Sequence, residues 1–557
     1  MKGSITKLIA KETSLNPKEV EKILETPPSQ DLGDYAFPCF ILSKKLKKSP
    51  NQIAEDLAKK IKSKNLEKIE ARGPYINFFI NKKNLAEETL KEILRKKDKY
   101  GSSKISKESV MVEFSQPNTH KAFHVGHIRG TSLGESVSRI LEFTGSRVLR
   151  TNYSGDTGMH IAKWLWCYQK FHAKEKLRDD EEWIASIYVD AIKRLTENEK
   201  LQEKVEEINR KLESRTDKKL NELWVKTKKA SINAWKQIYN ELNTGFDVHY
   251  FESEVEKPAK ELVKKLVEKK IAEISEGATI VDLKKYDLGV FLLLRKDGTV
   301  LYGGKDMSLA ERKFDEFKLD KSYYVVGREQ DMYLQQVFKT LDLMKSKAAG
   351  KSFYIPISEV RLPWGKMSSR TGDNVLYSNF RQELMDYARS EITKRQNVSE
   401  NELEKRALTI AIATMKYAML KQDLNKTIIF NKKEAMSAEG NTGPYLLYTY
   451  ARARAILRKT KRKKTKPQIK ELSDPEKQLI SSLSKFPETV ERAHKNLAPN
   501  LIANYSYQIA QQFNEFYHKN KVIGSEQESF RLILVEAFSQ TLKNSLNLLG
   551  IKVIEQM

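Results

Sequence analysis

Cysteine is nearly absent, with only Cys39 and Cys167 in 557 residues. Two thiols can build neither a disulfide framework nor a four-cysteine zinc site, so both are expected in the core or at a boundary, and no zinc is expected. No apolar run approaches the roughly 20 residues needed to span a bilayer. The opening MKGSITKLIAKETSLNP has no apolar segment followed by a small-residue cleavage site, so a cytoplasmic protein with no membrane partner is expected. Acidic residues are in deficit, 74 against 100 Lys plus Arg, for a formal charge of +26. This balance favours a polyanionic partner through counterion release, although lysine-rich composition also arises without one. Histidine is scarce as well, at 8, which makes the pair bracketing a glycine in KAFHVGHIRG conspicuous.

What is present is a balance of 31% charged and 39% hydrophobic residues, on a chain long enough for about three or four domains. Residues 1–105 read as a small α+β unit: a helical start, a turn-rich PPSQDLGDYAFP, a helix over NQIAEDLAKKIK and a strand in GPYINFFI. The charged KKDKYGSSKISKES closes it as a linker. From Val110 strand and helix patterns alternate, as in a parallel sheet with crossover helices. The sequence predicts an α/β domain of Rossmann type over 106–395, interrupted by a charge-laced helical insertion at about 163–280. Strand-like sequence resumes at ATIVDLKKYDLGVFLLLRKDGTVLY, with Asp297-Gly298 read as a two-residue hairpin turn. KSYYVVG and SFYIPI add strands, and residues 396–557 read as an all-helical bundle. Its basic run, from Arg458 to Lys466 before Pro467, suits a solvated loop as well as a phosphate-contacting one.

KAFHVGHIRG lies between a short buried strand, Val110 to Val112, and a helix whose apolar residues Leu133, Val137, Ile140 and Leu141 follow at helical spacing. A strand-loop-helix crossing puts free amides and positive partial charge where a phosphate can sit. Gly126 would let the backbone approach a nucleotide, and His124 and His127 could face one phosphate and donate to it as charge develops. Far downstream, GKMSSR from Gly365 to Arg370 has a glycine-preceded lysine and two serines, suited to reach outer phosphates. Each motif alone is also compatible with an ordinary loop.

In this order and on this topology, the pair resembles the paired motifs of class I aminoacyl-tRNA synthetases. EFSQPNTHKAFHVGHIRGTSLGES, NYSGDTG, LRKDGTVLYGGKD, the helix after VVGREQD and EGNTGPYLLYTYARAR are together similar to the arginyl-tRNA synthetases, over essentially the full chain. The resemblance implies an arginine–tRNA ligase with L-arginine, ATP with Mg2+ and tRNA(Arg) as partners, acting as a monomer. Arginine would be activated to an adenylate with loss of pyrophosphate, then passed to the 2'-hydroxyl of the tRNA's terminal adenosine, with bound tRNA needed for the first step.

Residue by residue, the resemblance implies a guanidinium pocket of Glu113, Tyr302 and Asp306, with Asn118 on the α-carboxylate and Gln330 near the α-amino group; Gln336 is a rival for that position. Read without the family, Asp306 could be a helix cap and Tyr302 a core aromatic. Gln116 departs from the serine that the family commonly has. The ATP loop departs from the class pattern too: after Lys366, Met367 and Ser368, Ser369 stands where a second lysine is usual. Lys121 is implied to compensate at the α-phosphate, leaving Lys366 for the outer phosphates. Residues 1–105 would touch the tRNA elbow through Tyr75 and Asn77, and 396–557 would bind the anticodon, with Tyr445, Tyr448, Tyr505 and Tyr507 as candidates against a core role. The competing readings are a smaller nucleotidylyltransferase, another class I synthetase, with lysine the hardest specificity to exclude, and a non-catalytic RNA-binding adaptor.

Overall fold

In the computed structural model, which describes residues 2–362, 365–366, 376–460 and 469–557, Ser109–Glu113 is the central strand of a five-stranded sheet. Its neighbours are Lys321–Gly327 and Arg147–Ser154, with Ser352–Ile357 and Val248–Phe251 at the edges, and every adjacent pair is parallel. In chain order the strands lie 3-2-1-4-5. The order reverses between Ser109–Glu113 and Lys321–Gly327, and the crevice beyond the carboxyl ends of those two strands is where a doubly wound sheet takes its ligand. Val110, Met111 and Val112 are all buried, as a strand covered on both faces requires.

The helix Val125–Phe143 follows the first strand and buries Ile128, Leu133, Val137, Ile140 and Leu141. It crosses Phe114 so closely that a Cβ on Gly134 would lie 2.1 Å from the ring's Cγ. Only glycine permits that approach.

The structure departs from the sequence reading in three places here. The charge-laced stretch supplies helices Met159–Cys167, Glu181–Glu197, Gln202–Ser214 and Lys218–Glu241, but Val248–Phe251 then returns as an edge strand of the main sheet. Four residues between long polar helices are too short a signal to register as a strand. Second, Glu273–Ser275, Ala278–Asp282 and Val290–Leu294 do not extend the parallel sheet; they form a separate antiparallel one. Third, the expected two-residue turn at Asp297-Gly298 has a three-residue loop. The Arg295 amide donates to Thr299 O at 3.0 Å, the Gly298 amide donates back to Arg295 O at 2.9 Å, and Gly298 takes φ +79°, the left-handed position such loops need.

By compactness the chain forms two units. One comprises Asp98–Ala455, Phe486–Ala510 and Thr541–Met557 and contains the sheet just described. The other comprises Met1–Lys97, Ile456–Lys485 and Gln511–Gln540. Its sheet is antiparallel, ordered Tyr35–Pro38, Tyr75–Ile80, Leu66–Arg72, so the turn-rich PPSQDLGDYAFP also holds a strand. Asn16 and Ser49 start two of its helices with capping boxes and a proline in the first turn, an arrangement that satisfies amides otherwise left unpaired. Lys82–Lys96 packs on Asp474–Ser484 in the same unit. The last third of the chain therefore contributes to both units. Among the described residues no helix is long and apolar enough to cross a membrane.

Candidate active site

The loop from Glu113 to His124 is held in a conformation that most side chains avoid. Ser115, Gln116 and His120 have φ of 78°, 51° and 63°, each costing about 1–3 kcal/mol unless the surroundings enforce it. They do. The Gln116 amide donates to Asn152 Oδ1 at 3.1 Å, Thr119 N to Gly155 O at 2.9 Å and His120 N to Ser231 Oγ at 3.0 Å, while the His120 ring meets Thr227 Oγ1 at 2.7 Å. Thr227 and Ser231 belong to the helix Lys218–Glu241, so the insertion fixes the loop. Burial, with Lys228 nearby, drives the His120 pKa down to about 3, and this histidine is a neutral structural strut.

His124 and His127 come together at the start of Val125–Phe143, their ring centroids 3.9 Å apart. The His124 amide donates to His127 Nδ1 at 3.1 Å, so the neutral His127 ring carries its proton on Nε2 and presents a donor there. Burial, then Lys121, lowers the His124 pKa to about 4. Burial, His124 and Lys121 hold His127 well below the usual value. Gly126 is required by this pairing, because a Cβ would stand 2.9 Å from His124 Cε1. Lys121, Asn118 and both histidines line a cavity of about 560 Å³. Its donors include two neutral imidazoles and, at Lys121, an ammonium group whose pKa is lowered by burial and by Lys163; Lys193, Glu182 and Asp190 also line it.

A second cavity, of about 430 Å³, lies at the reversal of the sheet order and includes Glu113, Gln116, Asn118, Tyr302, Asp306 and Gln330 in its wall. All five residues expected to hold an amino acid thus converge, and Asn118 borders both cavities. Asp306 is the fifth residue of the helix Tyr302–Phe317 and not its cap. Tyr302 is 63% exposed, which rules out the core reading. Gln336 is taken up elsewhere, donating to Leu288 O at 2.7 Å, leaving Gln330 as the residue that faces the cavity.

Four partners were not legible as site residues. The Tyr333 hydroxyl donates to Asp306 Oδ2 at 2.5 Å. Tyr153 brings to the same wall a buried hydroxyl that has no hydrogen-bond partner among the described residues. Glu252 pairs with Lys305 at 3.1 Å, and the ammonium of Lys313 pairs with Glu113. Gln116, uncertain from sequence, donates Nε2 to Glu113 Oε1 at 3.0 Å. Burial pushes the Asp306 pKa up to about 7, against the pull of the Tyr333 hydrogen bond. The spacing of Gln330, Tyr333, Leu334 and Val337, all on the wall, is a helical stripe that could have revealed Tyr333.

Lys366 closes a two-residue strand, Gly365–Lys366, paired with Val360–Leu362. Its side chain, and all of Met367, Ser368 and Ser369, lie outside the described residues, as does most of the basic run after Thr460. Tyr75 is half-buried, edge-on to Phe40 at 5.8 Å. Asn77 lies on the middle strand of its sheet and is 3% exposed. Tyr505 is core, stacked on Phe486. Tyr445 meets Tyr507 edge-on at 5.6 Å, and the Tyr448 hydroxyl accepts from Arg395 at 2.5 Å.

Among the described residues one group has metal-ligand spacing: Cys167, His172 and Asp190, with ligand atoms within 4.8 Å of one another. Asp190 Oδ2 is already engaged by Cys167 Sγ at 3.3 Å, His172 Nε2 at 2.9 Å and Arg194 Nε at 2.8 Å. A guanidinium at that distance repels a cation, so the group is a hydrogen-bond cluster. Both cysteines are buried.

Comparison with known proteins agrees with this geometry. Residues 89–432 match the model of the class I (R) tRNA synthetase catalytic domain, 446–557 the DALR anticodon binding domain, and 1–80 the arginyl tRNA synthetase N terminal domain. The arginine–tRNA ligase of Clostridium perfringens is 34% identical, with 100% of both chains covered, and that of Bdellovibrio bacteriovorus is 36% identical over 98% of this chain and 96% of its own. The structure of the Thermus thermophilus arginyl-tRNA synthetase superposes with a TM-score of 0.84 at 26% identity, covering 100% of both chains. With three family models tiling it in order and relatives matching end to end, the chain belongs to the arginyl-tRNA synthetases.

Proposed function

We propose that this chain activates L-arginine with ATP, releasing pyrophosphate, and transfers the arginyl group to the 3'-terminal adenosine of tRNA(Arg), in the cytoplasm and as a monomer. The observation that carries the reading is the position of Asn118 between the two cavities, one ending in Glu113 and Asp306, the other holding the paired imidazoles. A guanidinium gripped by Glu113 and Asp306, with Tyr302 at the mouth, sends the amino acid's other end toward Asn118 and Gln330. There the α-carboxylate meets the α-phosphate that arrives against His124, His127 and Lys121.

The carboxylate displaces pyrophosphate at phosphorus, and no side-chain nucleophile is required. His127 Nε2–H and the Lys121 ammonium donate to the oxygens on which charge develops, and Lys366 serves the outer phosphates. Burial keeps both imidazoles neutral, and the His124 amide on Nδ1 leaves His127 its one proton on Nε2, free to donate. The imidazole and ammonium donors fit phosphate oxygens, and the same wall carries Glu182 and Asp190, the latter held by His172 and Arg194; magnesium would supply charge neutralisation when it enters bound to the triphosphate. The reading further holds that 1–105 contacts the tRNA elbow and 396–557 the anticodon, with the surplus of 100 basic over 74 acidic residues supporting phosphate contacts throughout.

Pyrophosphate exchange, run with arginine and with lysine, each with and without tRNA, tests the reading. Exchange with arginine, strengthened by tRNA, is the expected result. Exchange with lysine alone rejects the specificity, and none under any condition favours the RNA-binding adaptor.

A further inference from the structure

The pocket assigned to the guanidinium has more carboxylates than one cation needs. Glu113, Glu252 and Asp306 all line it. Glu252 is compensated by Lys305. Glu113 is compensated by Lys313, which is wholly buried, is not part of the cavity wall, and holds its ammonium 4.4 Å from the Tyr324 ring centroid. Lys313 lies seven residues beyond Asp306 on Tyr302–Phe317. Two helical turns put both on one side.

We propose that Lys313 is a specificity-determining positioning residue: the built-in counter-ion that keeps Glu113 ionised and aimed, leaving the pocket one net negative charge for one guanidinium. The proposal rests on the arginine-pocket reading above. A carboxylate 3% exposed takes up a proton when it has no cationic partner. A protonated Glu113 would turn one acceptor oxygen into a donor and lose half its grip on a planar, donor-only ligand. With Lys313 on Oε2 and Gln116 on Oε1, each oxygen retains a lone pair for the substrate. Asp306 is then the sole uncompensated carboxylate. The other titratable groups facing Glu113 are the phenols of Tyr153, on the adjoining strand, and of Tyr250, on the edge strand beyond it, beside Tyr324 at Lys313. Burial raises the first two, which moves both phenols further from neutrality.

The test is the KM for arginine in pyrophosphate exchange with the full chain and tRNA, followed from about pH 6 to pH 9.5. In Lys313→Met, KM is expected to rise about tenfold or more at pH 7 and to recover toward pH 9.5 as Glu113 ionises, with the KM for ATP unchanged. Lys313→Arg is expected to stay within about threefold of the parent, because the charge is kept. A rise of the same factor at every pH, or no rise, overturns the proposal. Should Lys313→Met not fold, the pair Glu113→Gln and Glu113→Gln/Lys313→Met decides. A lone buried ammonium behind a neutral Gln repels the guanidinium, so removing it is expected to lower KM about tenfold; a further rise overturns the proposal. Asp306→Asn separates the two levels of inference. Normal arginine KM in that variant sinks the pocket assignment itself, whereas a raised KM there with a normal one in Lys313→Met sinks the counter-ion alone.

Discussion

The Tyr333 hydroxyl donates to the Asp306 carboxylate at 2.5 Å, joining a helix that follows the fourth sheet strand to the one that precedes it. Asp306 carries the charge and Tyr333 aims it. Asp306→Asn removes the pocket's uncompensated carboxylate, and its arginine KM is expected to rise roughly 100-fold or more, in keeping with the 2–5 kcal/mol lost when one member of a buried charged pair is truncated. Tyr333→Phe loses a single hydrogen bond to a carboxylate, for which about tenfold is expected. Steady-state exchange kinetics with arginine varied check both, and equal effects would contradict the division of roles.

Arginine binding is expected to release a proton near neutrality. Asp306 has a pKa of about 7 in the free site, raised chiefly by burial. A bound guanidinium favours the ionised form, so affinity is full above that pH and falls as pH drops through it, by about tenfold per unit below. Calorimetric titration near pH 7 in buffers of different ionisation enthalpy is expected to give about half a proton released per arginine bound. No buffer dependence would mean that Asp306 is already ionised or does not meet the ligand.

His127→Ala is expected to lower the rate of pyrophosphate exchange about 10²- to 10³-fold with little change in arginine KM, the cost typical of removing one donor to developing charge. Lys121→Ala is expected to behave alike while tRNA binding, measured by filter retention, stays nearly unchanged. Near-normal turnover in either variant would remove that residue from the phosphate site.

The parts of this site that could be read from sequence are those that announce themselves locally. Tyr302 and Asp306 stand four apart in a helix, His124 and His127 three apart at a helix start, and Glu113 ends a buried apolar run. What could not be read depends on sheet order. Tyr153 and Glu252 reach the pocket because the strands lie 3-2-1-4-5, a fact that no window of sequence contains, and the strand before Glu252 is four residues long. Lys313 was illegible for a different reason. Among 100 basic residues a helical lysine looks solvated, and only the fold reveals that this one is wholly buried against a carboxylate. Asn77 shows the converse: a polar residue on the central strand of a three-stranded sheet is only 3% exposed, a burial that sheet order sets and no local pattern announces.

The His172 ring places Nδ1 2.6 Å from Glu175 and Nε2 2.9 Å from Asp190, which only an imidazolium satisfies on both sides. Burial lowers its pKa, but the hydrogen bonds to Glu175 and Asp190 outweigh it and the net direction is up. A pKa raised on folding stabilises the protein fully below the unfolded value of about 6.5, and the contribution is lost as pH rises through the folded value. His172→Gln is therefore expected to cost about 1.5–3 kcal/mol near pH 6 and less near pH 9, as read by urea unfolding. A chelator is expected to leave the parent's melting temperature unchanged, and a drop would reinstate a metal at Cys167, His172 and Asp190.

Arg129, two residues past His127, is 2% exposed and donates to five carbonyls: Ser358 at 2.6 Å, Glu359 at 3.2 Å, Asp423 at 3.4 Å, Leu424 at 3.3 Å and Lys426 at 3.0 Å. Burial lowers its pKa to about 10, which leaves it cationic at neutral pH. Those carbonyls flank Val360–Leu362 and Ile428–Ile429, which pair in parallel, and Val360–Leu362 in turn pairs with the strand of Lys366. One guanidinium thus ties the histidine helix to the backbone that leads into Gly365–Lys366, the segment proposed above to serve the outer phosphates. Arg129→Ala leaves buried acceptors unmet at about 1–3 kcal/mol each, so a melting temperature lower by several degrees is expected. Arg129→Lys is expected to recover little, because a point-like ammonium cannot span carbonyls from two segments as a planar five-donor group does. In the folded fraction of Arg129→Lys, adenylate formation should slow more than arginine binding weakens, since the pocket proposed for arginine is built from other strands. Equal losses in the two steps would mean that Arg129 supports the fold generally and does not couple the two phosphate motifs.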